Sequence, residues 1–167
     1  FENFFSKFGL KKVTSGYNSF SAGDNRQIIS LGSIFNDSSV LPLVCYEIIY
    51  PGKIKMKNQR PNLIINISED AWFGSSIGPY QHYAKAIYRA VEEGVFIARS
   101  ANKGISGFID PRGKSIKFLN ISESGSVMYK MPQFTNSTLF SNYGNKIFFL
   151  IILLYIFLIL IFKKFKI

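Results

Sequence analysis

Residues 39–47 read SVLPLVCYE, and residues 62–74 read NLIINISEDAWFG. Each opens as a short apolar run bounded by turn-forming or acidic residues, the pattern of a strand buried on both faces. Strands are therefore predicted over residues 39–46 and 62–68. After the first, residues 47–50 lead to Pro51-Gly52, a strong turn signal. Working downstream, residues 81–93 predict a helix with Ala84, Ile87, Tyr88 and Val91 on one face and Gly94 as its stop. Further strands are expected at 95–100 and 105–109. Asp110-Pro111-Arg112-Gly113 then forms a turn, because proline presets φ and glycine tolerates a positive one. Strands at 115–119 and 127–131 close the pattern. Upstream, residues 1–13 carry apolar side chains at helical spacing, and residues 15–25 form a Ser/Gly/Asn loop. Strands interleaved with one helix make an α/β domain over residues 1–145.

The end of the chain is of another kind. Residues 147–162 (IFFLIILLYIFLILIF) hold no charge, glycine or proline, and Lys146 and Lys163-Lys164 bracket them. A bilayer core about 30 Å thick normally takes roughly 20 helical residues. The sixteen here are fewer, but Tyr143 and snorkelling lysines extend the reach. The run is apolar on every face, unlike a helix packed against a core. Residues 146–167 are thus expected to form a transmembrane helix with a short basic tail. The positive-inside rule puts Lys163, Lys164 and Lys166 in the cytoplasm and the preceding domain outside. The chain starts at Phe1 with no signal-peptide pattern, so it reads as a piece of a longer protein whose upstream part supplied the targeting.

A formal charge of +10 invites a nucleic-acid reading, but four of the 20 basic residues flank the apolar run, leaving about +6 elsewhere. Apart from Lys53, Lys55, Lys57 and Arg60 in one loop, those charges are scattered and form no basic stripe with interleaved aromatics. No nucleic-acid partner is expected; anionic lipid head groups suit the balance better. A single cysteine excludes an internal disulfide framework and a cysteine-rich zinc site.

That cysteine, Cys45, ends a buried strand where a new segment begins. Backbone N–H groups at a strand-to-helix elbow favour a thiolate and can bind an oxyanion. A lone cysteine is also commonly a small buried hydrophobe, and spacing alone leaves both readings open. His82, the one histidine, opens a helix and is assigned to capping or packing; with no second ligand, no metal is expected. Arg89 and Glu92, three apart on a helix, make a structural pair. Asn66 and Asn102 either orient a site or cap strand ends.

The words around Cys45 narrow the choice. Cys45-Tyr46-Glu47, followed by Asn66-Ile67-Ser68-Glu69-Asp70-Ala71-Trp72-Phe73-Gly74, resembles the core of the nitrilase superfamily. Ser76 to His82 (SIGPYQH), Arg89-Ala90-Val91-Glu92, Arg99 to Ser106 (RSANKGIS) and Asp110 to Gly113 resemble its membrane-bound branch, the apolipoprotein N-acyltransferases. The resemblance implies the C-terminal part of a nitrilase-like α-β-β-α sandwich followed by one transmembrane helix. It implies a Glu-Lys-Cys triad in which Cys45 is the cysteine. The thiolate takes an acyl chain from a phospholipid donor and passes it to the amine of a diacylglyceryl lipoprotein acceptor, with no cofactor. It places Tyr46, Glu47, Trp72 and Phe73 at the substrate and the whole at the periplasmic face of a bacterial inner membrane. The family's glutamate, and its lysine with the L-V-P-F-G-E stretch, precede the region matched by Phe1, and Glu2 and Lys7 do not replace them. The fragment is therefore expected to need the missing N-terminal part of the enzyme. The rival readings are a soluble-type carbon-nitrogen hydrolase (an amidase) and a non-enzymatic remnant.

Overall fold

The computed structural model describes residues 26–33, 37–52, 54, 59–132 and 136–165. The helix expected within residues 1–13, the loop at 15–25, and Glu2, Lys7, Lys53, Lys55, Lys57 and Lys166 lie outside them. The described elements are β1 (Ile29–Ser30), β2 (Ser39–Val44), a 3-10 turn (Cys45–Ile49) and β3 (Leu63–Glu69). A second 3-10 turn (Asp70–Phe73), α1 (Gly78–Glu93), β4 (Phe96–Asn102), β5 (Ser106–Ile109) and β6 (Ser115–Leu119) follow. Two helices end the chain, α2 (Leu139–Tyr143) and α3 (Lys146–Phe165).

The strands form one six-stranded sheet in chain order, β1 to β6. β2, β3 and β4 are parallel; β1 pairs antiparallel with β2, β5 with β4, and β6 with β5. Leu43, Asn66 and Arg99 are direct neighbours across the three parallel strands. The C-terminal ends of those strands therefore open on one edge, and there the chain carries Cys45 and the Ser68–Asp70 segment. Ligand sites in parallel sheets gather at that edge because the loops leaving it converge.

One face of the sheet lies under α1. Leu41, Leu43, Ile64, Ile97 and Ile109 are wholly buried there with Ala86 and Ala90 of the helix. Strand alternation sends the neighbouring side chains to the other face, where Val44 is 63% and Ile67 57% exposed. The segment after β6 crosses part of this second face. Tyr129 sits 6.1 Å from Phe96 and 5.7 Å from Phe108, ring centre to ring centre. This corrects the strand expected at 127–131: its alternating apolar residues lie on the sheet rather than extending its edge, and no ladder forms.

Helix α1 begins three residues earlier than expected, with Pro79 in its first turn, where a missing N–H costs nothing. Gly94 ends it in a left-handed conformation (φ 63°), as its position predicted. Its buried face differs from the expected stripe. Pro79, His82, Tyr83, Ala86, Arg89, Ala90 and Glu93 are buried, whereas Tyr88 and Val91 are exposed. Polar residues go inside because each finds a partner: Tyr83 Oη bonds Ser115 Oγ at 2.7 Å, and Arg89 Nη2 donates to Glu92 at 2.8 Å. Only Ile87 of the predicted stripe packs against the core, from its margin.

Arg60 ties the last helices to the domain. It donates to Ser141 Oγ at 3.1 Å, to the Asn136 carbonyl at 2.8 Å and to the Glu93 carbonyl at the end of α1. Thr138 caps α2 through the Ser141 N–H. From this anchored turn α3 runs for 20 residues, about 30 Å at 1.5 Å per residue. Its side chains are exposed almost throughout, and among the described residues it is the one helix long and apolar enough to cross a membrane.

Candidate functional site

Cys45 follows directly on β2, and its backbone is unusual. Its φ is +48°, a left-handed conformation that a residue with a Cβ seldom adopts. Such strain costs on the order of 1–3 kcal/mol and persists only where the surroundings impose it, commonly at active sites. Here the surroundings are visible. Asn66, buried in β3, donates from one amide nitrogen to the Leu43 carbonyl at 3.0 Å and to the Cys45 carbonyl at 3.3 Å. Glu47 turns back to accept the Val44 N–H at 2.7 Å, and Arg26 pairs with the same carboxylate at 3.3 Å. The elbow is pinned on both sides of the cysteine, and the residue is left partly exposed.

Behind the sulfur lies a buried polar cluster. Ser68 Oγ is 3.6 Å from Cys45 Sγ and donates to Asp70 Oδ1 at 2.7 Å. The same oxygen lies 2.9 Å from His82 Nδ1, so that nitrogen carries the proton and donates, since an ionised carboxylate only accepts. Asp70 Oδ2 accepts from Arg99 Nη2 at 2.7 Å. Arg99 reaches further, donating to Asn66 Oδ1 and, from Nε, to the Ile105 carbonyl at 3.2 Å. The Asp70 and Arg99 side chains are fully enclosed, at 0% exposure. Burial pushes the Asp70 carboxyl up, but hydrogen bonds from His82 and Ser68, with the Arg99 charge and bond, outweigh it and hold the group at about 2. Asp70 is therefore an anion at any ordinary pH. Gly104 completes the enclosure: a Cβ there would collide with Asp70 Oδ2.

Aromatic rings close the helix side. Tyr46 stacks on the His82 imidazole at 5.1 Å and 23°, and Phe73 meets the same ring edge-on at 5.8 Å and 67°. Gly78 leaves room for Phe73, whose ring a Cβ at that position would strike. A small cavity of about 140 Å³ lies among Tyr46, Ile49, Phe73, Gly78, Gln81, His82 and Lys85.

Of the residues singled out from sequence, the fold brings Cys45, Tyr46, Glu47 and Phe73 to one place. Trp72 shares the turn with Phe73 but is 83% exposed. Asn66 orients the elbow, whereas Asn102 serves Glu69, donating to both its oxygens at 3.1 and 2.8 Å. His82 does pack, as expected, but within the polar cluster behind the sulfur and not as a cap. Ser68, Asp70 and Arg99 were not assigned roles from sequence. A signal was present: an arginine inside a buried strand requires an anion nearby, and Asp70 directly follows the adjacent strand. Among the described residues no group of acidic, histidine and cysteine side chains is arranged to hold a metal.

The profile of the carbon-nitrogen hydrolase family matches residues 12–140. Among curated proteins, an apolipoprotein N-acyltransferase of Bradyrhizobium diazoefficiens is 37% identical over 145 residues, which is 87% of this chain and 26% of that protein. One from Rickettsia prowazekii is 39% identical over 156 residues, 91% of this chain and 30% of its own length. One from Agrobacterium fabrum is 42% identical over 125 residues, 75% of this chain and 23% of the relative. The chain thus spans less than a third of the length of these relatives.

Proposed function

The chain belongs to the carbon-nitrogen hydrolase family, and from that premise we propose that Cys45 is the nucleophile of an apolipoprotein N-acyltransferase. The observation that carries the reading is the Cys45 elbow: a strained, doubly pinned, partly exposed cysteine at the C-terminal edge of parallel strands. A merely structural thiol has no need of positive φ. The names of relatives 37–42% identical to this chain supply the substrate class.

In the proposed reaction the Cys45 thiolate attacks the ester carbonyl of a phospholipid acyl chain. The C–O bond breaks, the lysophospholipid leaves as an alcohol after taking a proton, and the acyl group stays as a thioester. The free amine of a diacylglyceryl-cysteine lipoprotein then attacks that carbonyl. The C–S bond breaks, an amide forms, the amine gives up one proton, and the thiolate returns. A thioester suits both halves, because its thiolate is a competent nucleophile near neutral pH and a good leaving group toward an amine. Tyr46, Glu47 and Phe73 line the approach to the sulfur, with exposed Trp72 beside them for the lipid chain. Proton transfer and oxyanion stabilisation fall to a carboxylate and a lysine contributed by sequence upstream of Phe1, so this chain works as part of the larger enzyme.

Residues 1–145 act as the C-terminal part of the catalytic domain and residues 146–167 as its anchor. α3 crosses the bacterial inner membrane, Lys163 and Lys164 face the cytoplasm, and Cys45 faces the periplasm. An apolar helix whose residues 147–162 carry no charge and which is exposed almost throughout supports the crossing, and the lysines at its end support the direction.

The test is acyl transfer by the full-length protein carrying this chain, with phospholipid and a diacylglyceryl peptide. Cys45→Ser should lower the rate by about three orders of magnitude or more, since nucleophile and partners act as a unit. A variant retaining most of the wild-type rate would remove Cys45 from the chemistry.

A further inference from the structure

We propose that Ser68 is a positioning residue for the Cys45 sulfur, and that Asp70, His82 and Arg99 exist as a cluster to make its hydroxyl available there. The inference rests on the reading of Cys45 as the nucleophile. It starts from a count of protons. Asp70 accepts from three donors, the Ser68 hydroxyl, His82 Nδ1–H and Arg99 Nη2–H. Two of these are fixed by ring and guanidinium geometry. The third, the hydroxyl proton, is free to rotate. The Ser68 oxygen stands between two acceptors, the carboxylate at 2.7 Å and the sulfur at 3.6 Å.

With a neutral thiol, the hydroxyl proton goes to Asp70 and a serine lone pair faces the S–H. Once the sulfur is a thiolate, it becomes the acceptor in need of a donor. Rotation about the Cβ–Oγ bond turns the proton onto it, with no bond broken. Asp70 does not become an orphan anion, because His82 and Arg99 still satisfy it. Without them the carboxylate would hold the serine proton, and a lone pair would oppose the thiolate. This accounts for a buried histidine and one arm of a buried arginine converging on the same aspartate. It also accounts for Gly104, whose missing side chain makes room for Asp70 Oδ2.

The other charged and titratable groups around the sulfur are engaged elsewhere. Glu47, on the cysteine's own turn, holds the Val44 N–H and Arg26. Glu69 binds Asn102 and the Ala71 N–H. Tyr46 stacks on His82 through its ring, and Lys85 of α1 lies over the Tyr88 ring. Among the described residues Ser68 is the side chain whose hydroxyl lies within hydrogen-bond reach of the sulfur.

The test follows alkylation of Cys45 by iodoacetamide against pH in the full-length protein carrying this chain, held in detergent micelles, with the Cys45 adduct read by peptide mass. Ser68→Ala is expected to slow alkylation at pH 7 by about three- to tenfold, the worth of one hydrogen bond, and to move the profile to higher pH. Ser68→Thr, which keeps the hydroxyl, should restore rate and profile. His82→Phe keeps a ring for Tyr46 to stack on but removes a donor from Asp70, and should move the profile in the same direction as Ser68→Ala. Should Ser68→Ala fail to fold by circular dichroism, His82→Phe decides. Wild-type rate and profile in Ser68→Ala, or in His82→Phe, would overturn the inference and leave Cys45 as the nucleophile. A shifted profile in a full-length protein that never acylates Cys45 would support the contact and overturn the nucleophile reading instead.

Discussion

Replacing Asp70 by asparagine tests the buried cluster with little change of shape. The carboxylate accepts from Ser68 and His82 on one oxygen and from Arg99 on the other. An amide has one acceptor oxygen and two donor hydrogens. If its oxygen serves Ser68 and His82, its NH₂ points at the Arg99 guanidinium, donor against donor. Arg99 keeps its charge at 0% side-chain exposure with no counter-ion. Breaking a buried pair from one side costs about 3–5 kcal/mol, a large share of a small domain's stability. The pH dependence gives a second handle. The fold holds the Asp70 carboxyl at about 2, against an ordinary 3.8. Because the folded value is depressed, its contribution is fully present above pH 4–5 and is lost as pH falls through the folded value. The separation corresponds to about 2 kcal/mol. Urea unfolding of wild type and Asp70→Asn, followed by circular dichroism at pH 6 and again near pH 2, measures both. The gap between the proteins should be about 3–5 kcal/mol at pH 6 and about 2 kcal/mol smaller near pH 2. A gap under 1 kcal/mol at pH 6, or one unchanged by acid, would mean that Asp70 does not hold Arg99 in place as a buried anion.

Two further outcomes are expected. Gly104→Ala should destabilise the folded chain by about 2 kcal/mol or more, measured by the same unfolding, because its Cβ meets the anchored Asp70 carboxylate rather than a mobile side chain. In cells, a membrane-impermeant maleimide should label Cys45 of the full-length protein once the outer membrane is opened; labelling that requires a permeabilised inner membrane would reverse the orientation of α3.

The framework of the fold was legible because it rests on strong local signals. The apolar runs of β2 and β3, Pro51-Gly52, the Gly94 stop and the charge-free tail each dictate one structure at short range. The candidate site was legible in part. Cys45, Tyr46, Glu47 and Phe73 stand in contiguous words, and the fold brings them together. The buried side of α1 was not, since periodicity counts apolar residues and His82, Tyr83, Arg89 and Glu93 are polar. Whether a charge is buried depends on a partner from a distant strand: Asp70 and Arg99 are 29 residues apart and meet only because β3 and β4 are neighbours. The segment 127–131 failed for a related reason. Alternation predicts which face of a ribbon is apolar, not whether the ribbon pairs at an edge or lies across a sheet.

The most direct test of the account is the mass of the full-length protein after incubation with phospholipid alone, before and after hydroxylamine. One added acyl group is expected, mapped to Cys45 by peptide fragmentation, removed by hydroxylamine at neutral pH, and missing from Cys45→Ala. An acyl group on another residue, or one that resists hydroxylamine, would contradict it.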